Sequence, residues 1–303
     1  VGMKKQIGEY DVSLDFMRSR NNDPFYVYNL ANTVSGYTNT GHAVMASNGC
    51  CTGDYNLANS EYSPMTTVIS AIASRSFDND VDVTFGYSYT NANDVHPMAS
   101  SVAYTNANEN LVTTNPNDPQ PVRSDWEIEH RFTTTVNFAA SEKTDISLFF
   151  QYESGNPYSL SAYGNWTELG IQPGWRTEDF PSIPLYIGEN ATYEDSAVAL
   201  GNMKPGLYER NAFESDSSTR LDMKLTHSLM DNLDLYMVVR NLGNLISGNN
   251  GAYKRSSSAN GIVTADFDSD GNVSYSDYNA PAVNAVIGSA SIWNVKLGFK
   301  YSY

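Results

Sequence analysis

The chain has 303 residues, with 34 acidic against 18 basic side chains and a formal net charge of −16. No basic stripe is present to neutralise phosphates, which excludes a nucleic-acid binder. No run of roughly 18 apolar residues is present either, which excludes a membrane helix. Strands stay open, because alternation of apolar and polar residues hides a membrane signal from mean hydropathy, here −0.41. Tyrosine is frequent, at 21 residues against 12 Phe and 4 Trp. A ring that is apolar at one end and wet at the other suits a membrane–water interface. The chain opens Val1-Gly2-Met3-Lys4-Lys5, without an initiator Met or an apolar signal region. The expectation is therefore a fragment or processed piece whose signal lay upstream.

Two-residue alternation predicts eight strands, at about 6–17, 66–77, 81–90, 130–139, 144–155, 219–229, 233–242 and 291–303. The clearest runs from Val81 to Thr90, with Val81, Val83, Phe85, Tyr87 and Tyr89 on one face and Asp82, Thr84, Gly86, Ser88 and Thr90 on the other. The run at 66–77 does not declare its faces. Elsewhere the second face carries Arg131, Asp145, Arg220, Asp222, Lys224, Asp234, Arg240, Lys296 and Lys300. The first carries Val83, Phe85, Leu148, Phe150, Leu221, Met223, Leu235, Met237, Val295 and Leu297.

Alternation alone does not separate a soluble sandwich from a barrel. The connections do. Asp78-Asn79-Asp80, Ala140-Ser141-Glu142-Lys143 and Met230-Asp231-Asn232 are short, and between them lie long segments at roughly 18–65, 92–129, 156–218 and 243–290. Tight turns at one end and long loops at the other are the asymmetry of a transmembrane antiparallel β-barrel. Loops of this length are uncommon in a compact soluble domain. The expected class is all-β, with the charged set facing a polar lumen and the apolar set facing outer-membrane lipid.

The last strand ends on aromatics. Lys296, Gly298, Tyr301 and Tyr303 resemble the terminal signal read by the barrel-assembly machinery. Arg240-Asn241-Leu242-Gly243-Asn244-Leu245 resembles a segment near the end of TonB-dependent receptors. Three stretches together are similar to the Oar-like subgroup: Tyr87 to Asp94, Ser124-Asp125-Trp126-Glu127-Ile128-Glu129-His130-Arg131-Phe132, and Ser154-Gly155-Asn156-Pro157-Tyr158-Ser159. The family pattern has Pro where this chain has Glu129. The resemblance covers most of 1–303 and implies the last eight strands of a 22-stranded barrel. A plug domain and its coupling box for the TonB complex would lie outside the sequence. It also implies an unidentified extracellular substrate, of peptide, protein or other large class.

Within 260–282, the run Asp266-Phe267-Asp268-Ser269-Asp270-Gly271-Asn272-Val273-Ser274-Tyr275-Ser276-Asp277 has the spacing of an EF-hand or dockerin-type calcium loop. Asp266, Asp268 and Asp270 would supply oxygens to Ca²⁺ and Gly271 the turn. Asn272 would supply its carbonyl, Ser274 a hydroxyl or water-mediated contact, and Asp277 the closing carboxylate, where Glu is usual. The role expected of calcium is structural.

Cys50 and Cys51 are adjacent and are the only cysteines. A strained vicinal disulfide and pairing with a Cys outside the chain are the alternatives for an oxidising surface. His42, His96, His130 and His227 show no ligand spacing. Asp94 and His96 share one loop, as acid–His pairs of outer-membrane proteases do. Phe25, Tyr26, Tyr28 and Tyr37 suit loop packing better than ligand capture. The expected function is TonB-dependent transport, with no bond made or broken. The rivals are a free-standing eight-stranded OmpA-like barrel and, more remotely, an outer-membrane hydrolase.

Overall fold

In the computed structural model all residues are described except 31, 48–53, 110, 114, 164–182, 190, 194, 249, 257–258, 268–271 and 280–283. Cys50 and Cys51 therefore lie outside the described residues. Nine long strands follow one another in chain order and pair antiparallel with their neighbours. They are β1 (Gly2–Ile7), β2 (Tyr10–Arg20), β3 (Met65–Phe77), β4 (Val81–Asp94), β5 (His130–Ser141), β6 (Thr144–Glu153), β7 (Ser218–Met230), β8 (Leu233–Arg240) and β9 (Asn294–Tyr301). A short strand, Val122–Arg123, pairs antiparallel with the end of β4.

The predicted strand at 6–17 is divided. Gly8 takes φ +62° and turns the chain, so Ile7 and Tyr10 face each other across a hairpin. A glycine adopts that conformation without steric cost. The wall thus has one strand more than alternation predicted, and its first strand runs toward the short turns. All four short turns, at 8–9, 78–80, 142–143 and 231–232, share one end. The segments 21–64, 95–129, 154–217 and 241–293 share the other.

Register assigns the faces, because residues paired across strands project to the same side. Val83 pairs with Val136, Val136 with Leu148, Leu148 with Met223 and Met223 with Val239, which pairs with Val295. One rung lower in the alternation, Lys224 pairs with Val238 and Val238 with Lys296, on the opposite side. Followed across the wall, all nine predicted lumen charges fall on one face and all ten predicted apolar residues on the other.

The ambiguous strand also resolves. Ile69, Ala71 and Ala73 share the apolar face of β4, while Val68 and Ile72 sit among Ser70 and Ser74 on the polar one. The apolar face is bare. Phe16, Ile69, Phe85, Phe150, Leu235 and Leu297 are each between 40% and 74% exposed, with no second layer over them among the described residues. A soluble sandwich would bury this face.

Aromatics border it at both ends. Near the long segments, Tyr87, Tyr89, Phe132 and Tyr152 form a linked cluster, with the Tyr87 and Phe132 rings 4.7 Å apart. Near the turns stand Tyr10, Phe77, Phe138 and Tyr301, with Arg75 stacked 5.1 Å over Tyr10 and 4.3 Å over Phe77.

The sheet is open. Both edges of β2 are occupied, by β1 and β3, and among the described residues β9 pairs only with β8. The strand at 10–20 therefore does not close onto the last strand, as an eight-stranded barrel requires.

The compact core lies in the long segments. Pro157–Tyr163, Ala259–Phe267 and Val273–Ser276 form a second sheet, edged by Ile183–Pro184 and Thr192–Tyr193. Leu160, Leu185, Ile187, Leu200, Ile262 and Val263 pack on it with Tyr275, whose hydroxyl donates to the Tyr186 carbonyl. The 21–64 segment contributes two hairpins, Phe25–Asn29 with Tyr55–Asn59 and Asn32–Tyr37 with Ala43–Ser47. No helix among the described residues is long and apolar enough to cross a membrane.

On the polar face, the Tyr236 ring fills the space that a Cβ on Gly298 would need. The two residues are direct partners across β8 and β9. Gly298→Val should therefore expel the ring and destabilise the wall by about 1–3 kcal/mol, the usual cost of overpacking. Equilibrium unfolding of wild type, Gly298→Val and the double variant with Tyr236→Ser checks this. The double variant should recover most of the loss.

Candidate functional site

The long segments meet the wall in a buried charged network. Ser124 donates its N–H to the Ala92 carbonyl at 2.8 Å, returning the chain to the end of β4. Glu127, only 2% exposed, accepts the Ala92 N–H at 2.5 Å and holds Arg123 Nε at 2.5 Å. Arg123 also reaches Glu214 at 2.8 Å and Glu129 at 3.5 Å. Burial alone would lower the Arg123 pKa, but Glu214 and Glu127 more than offset it, and the guanidinium is held above its ordinary value.

Beside it, Arg210 is 6% exposed and is bound by Asp94 and, at 3.3 Å, by Asp125. Asn211, in the left-handed region at φ 61°, donates to the Arg123 carbonyl at 2.7 Å and to Asp125. Its own N–H donates to Ser159 Oγ at 2.9 Å.

The three stretches that carry the Oar-like resemblance converge on this network and its surroundings. Asp125 and Glu127 compensate the two arginines. Asn156 binds Ser215 and the backbone at Ser256, joining two long segments. Asn241 adopts φ 53° and donates to the carbonyls of Gly251 and Ser291 at 2.7 and 2.6 Å, while its N–H reaches Asp222 at 2.9 Å. Each motif anchors a long segment to the wall. Arg210 and Asn211 lie 52 to 116 residues from their partners, which left no local signal for them.

Neither predicted acid–base partner is available for proton transfer. Asp94 is the counter-ion of Arg210. His96 donates Nε2–H to the Asn106 carbonyl at 2.9 Å and accepts the Met98 N–H on Nδ1 at 3.0 Å. Burial pushes its pKa down, and Arg210 pushes the same way against the Asn106 carbonyl and Asp94. His42 is likewise buried and kept neutral, bridging Thr40 Oγ1 at 2.7 Å and the Pro184 carbonyl at 2.9 Å. His130 and His227 lie on the apolar face of the wall, bonded to Tyr87 and Thr144. Tyr26 and Tyr28 pack together at 5.7 Å, while Phe25 and Tyr37 are exposed.

In the acidic run at 266–277, Asp266 pairs with Ser274 and Phe267 with Val273, while Ala265 and Tyr275 are buried on the core side. Asp266, Asn272 and Ser274 are exposed. Asp277 follows Val273–Ser276 at φ 50°, carried about 10 Å along extended chain from the Asp266 rung. The described geometry does not return the twelfth residue to the first. Asp268 and Asp270 lie outside the described residues. Of the four residues expected to form a terminal signal, Lys296 and Gly298 share the polar face, Tyr301 pairs with Leu233 on the apolar face, and Tyr303 lies past the strand, fully exposed.

Sequence reading also missed a cavity of about 240 Å³ at the loop end of the polar face. Gln151, Glu153, Ser218, Thr219 and Arg220 form its wall, and Gly251, Tyr253 and Ala290 its roof. Glu153 is bound by Arg131 at 2.7 Å and Gln151 at 2.6 Å through one oxygen, and Asp222 grips Arg220 at 2.5–3.0 Å.

No family model matches the chain, and no curated protein sequence matches it. Among solved structures, it is similar to OmpT, an outer membrane protein of Vibrio cholerae. The in-vitro folded form is 9% identical with a TM-score of 0.33, over 100% of this chain and 54% of that one. The outer-membrane expressed form gives 9%, 0.33 and 55%. The outer membrane transporter YddB from Escherichia coli is 10% identical with a TM-score of 0.47, over 100% of this chain and 32% of that one. The chain thus spans about half or a third of the length of these structures. Likenesses this distant carry no functional argument, and the reading rests on the wall and its rim.

Breaking a buried ion pair from one side typically costs about 3–5 kcal/mol. Arg210→Met leaves Asp94 and Asp125 without their cation, so limited proteolysis within 95–129 and 154–217 should accelerate sharply. The unfolding midpoint of the wall should stay where it is.

Proposed function

We propose that this chain is part of the wall and outer surface of an outer-membrane transport barrel, of the TonB-dependent, Oar-like kind. The observation that carries the reading is the register. It segregates nine wall charges from ten apolar residues, and leaves the apolar face bare between two aromatic borders. In lipid that face is solvated and the charged face lines water. The inner strands would then cross the membrane with their backbone groups paired inside the sheet, as hydrocarbon requires. The short turns would face the periplasm and the long segments the cell exterior. There the compact loop layer would receive a substrate, and a plug energised through TonB would release it. Lys296, Gly298, Tyr301 and Tyr303 would be read by the barrel-assembly machinery. A hydrolase is disfavoured because Asp94 and His96 are spent on structural bonds.

Adjacent residues of β6 test this directly. Leu148 lies on the bare face and Ser147 on the polar one. Leu148→Arg should destabilise the protein in a phospholipid bilayer by about 2–4 kcal/mol, while Ser147→Arg should cost little. Urea unfolding in vesicles, followed by heat-modifiable mobility, reads both. Equal effects would mean that the bare face does not meet lipid.

We also propose that Ca²⁺ orders the 266–277 loop. Asp266, Asp268 and Asp270, with the Asn272 carbonyl and Ser274, offer oxygens of the ligand class calcium prefers. Asp277 stands apart from the Asp266–Ser274 rung. The ion would stabilise the folded loop by mass action, without switching the barrel. Calcium should slow proteolysis of this loop relative to chelator in wild type and in Asp277→Asn. Asp268→Ala should be cut at one rate in both conditions. Indifference of the wild type to calcium would reduce the run to a solvated loop.

A further inference from the structure

The cavity under the last long segment has a charge arrangement that selects a ligand class. Its roof is pinned in place: Asn241 holds Gly251 and Ser291, and Ser291 Oγ accepts the Tyr253 N–H at 2.8 Å. Its wall carries Glu153 and Arg220, each already held by a neighbour of opposite charge, Arg131 and Asp222. The four charges cancel. Glu153 Oε2 and Arg220 Nη1 carry no hydrogen bond among the described residues, so one acceptor and one donor of full charge remain for a guest. A cation or an anion alone would add net charge to a site already neutral and would use only one of these groups. A zwitterion leaves the sum of charge at zero and satisfies both. At about 240 Å³ the cavity is smaller than the roughly 300–1,000 Å³ that drug-sized ligands occupy.

We propose that this cavity binds a zwitterion of amino-acid size, its ammonium on Glu153 and its carboxylate on Arg220. The inference rests on the transport reading and deepens it, since the cavity opens on the polar face of the wall, where the long segments begin. Gln151 and Ser218 supply neutral hydrogen-bonding groups between the two charges, and Tyr253 covers the guest from above.

Calorimetry on the full chain, folded in detergent, compares three probes built on one side chain: L-alanine, L-alaninamide and N-acetyl-L-alanine. Alanine should bind about tenfold or more tightly than either singly charged probe, the difference expected for a charge-assisted hydrogen bond. Arg220→Gln should make alanine and alaninamide equivalent, and Glu153→Gln should do the same for alanine and N-acetylalanine. Ala290→Trp fills the cavity from the roof without touching either charge, and should weaken alanine while heat-modifiability is kept. Equal affinity of the wild type for all three probes, or no heat from alanine, overturns the proposal. The arginine scan of β6 judges the wall separately, so a wall that passes that test and shows no discrimination here loses this inference alone.

Discussion

Every assignment in this molecule depends on the hydrogen-bonded register between β4, β5, β6, β7, β8 and β9. A strand has a side-chain period of two, so a slip of one residue would exchange its faces. Val136 against Leu148 and Leu148 against Met223 fix a rung of apolar residues that continues to Val239 and Val295. Once that rung is set, Lys224 and Lys296 have only the other side to occupy. Slipping any one strand would place an Arg, Lys or Asp on the face that is otherwise bare. In lipid that penalty is large, and it makes the register self-correcting.

The rim obeys a different physics. Where the strands leave the wall, their chains must turn back without the ladder, and orphaned backbone groups need partners. Glu127 receives the Ala92 N–H, Asn211 caps the Arg123 carbonyl, and Asn241 satisfies Gly251 and Ser291. Buried Arg210 and Glu127 are tolerable only because each faces opposite charge at short range. The loop layer is thus carried by a few polar joints at the rim and by its own apolar core around Tyr275 and Leu185.

Much of the wall was legible in the sequence, because alternation and connection length are local properties. The nine charges and ten apolar residues could be sorted by eye, and the register agrees at every one. Gly8 was not legible as a turn. Tyr10, Val12, Leu14 and Phe16 alternate so cleanly that the run was read through it, although Ile7 and Tyr10 share a face only across a hairpin. The ambiguity at 66–77 had a physical source too, since small Ala71 and Ala73 stand on the apolar face while Val68 and Ile72 stand on the polar one. The rim and the cavity were beyond reach for another reason. Arg210 finds Asp94 across 116 residues, and Asn156 finds Ser256 across 100. No period or spacing encodes such meetings.

The second sheet has a seam of a particular kind. Pro157–Tyr163 runs parallel to Ala259–Phe267, with Ser159 opposite Ala259, and Thr192–Tyr193 runs parallel to Val273–Ser276. Two hairpin strands would find each other at once, but parallel partners need the chain between them to travel out and back. Here that excursion includes β7 and β8. The second sheet is thus held by contacts of long sequence separation, whose loop-closure entropy makes them slow to form, in contrast to the hairpins of the wall.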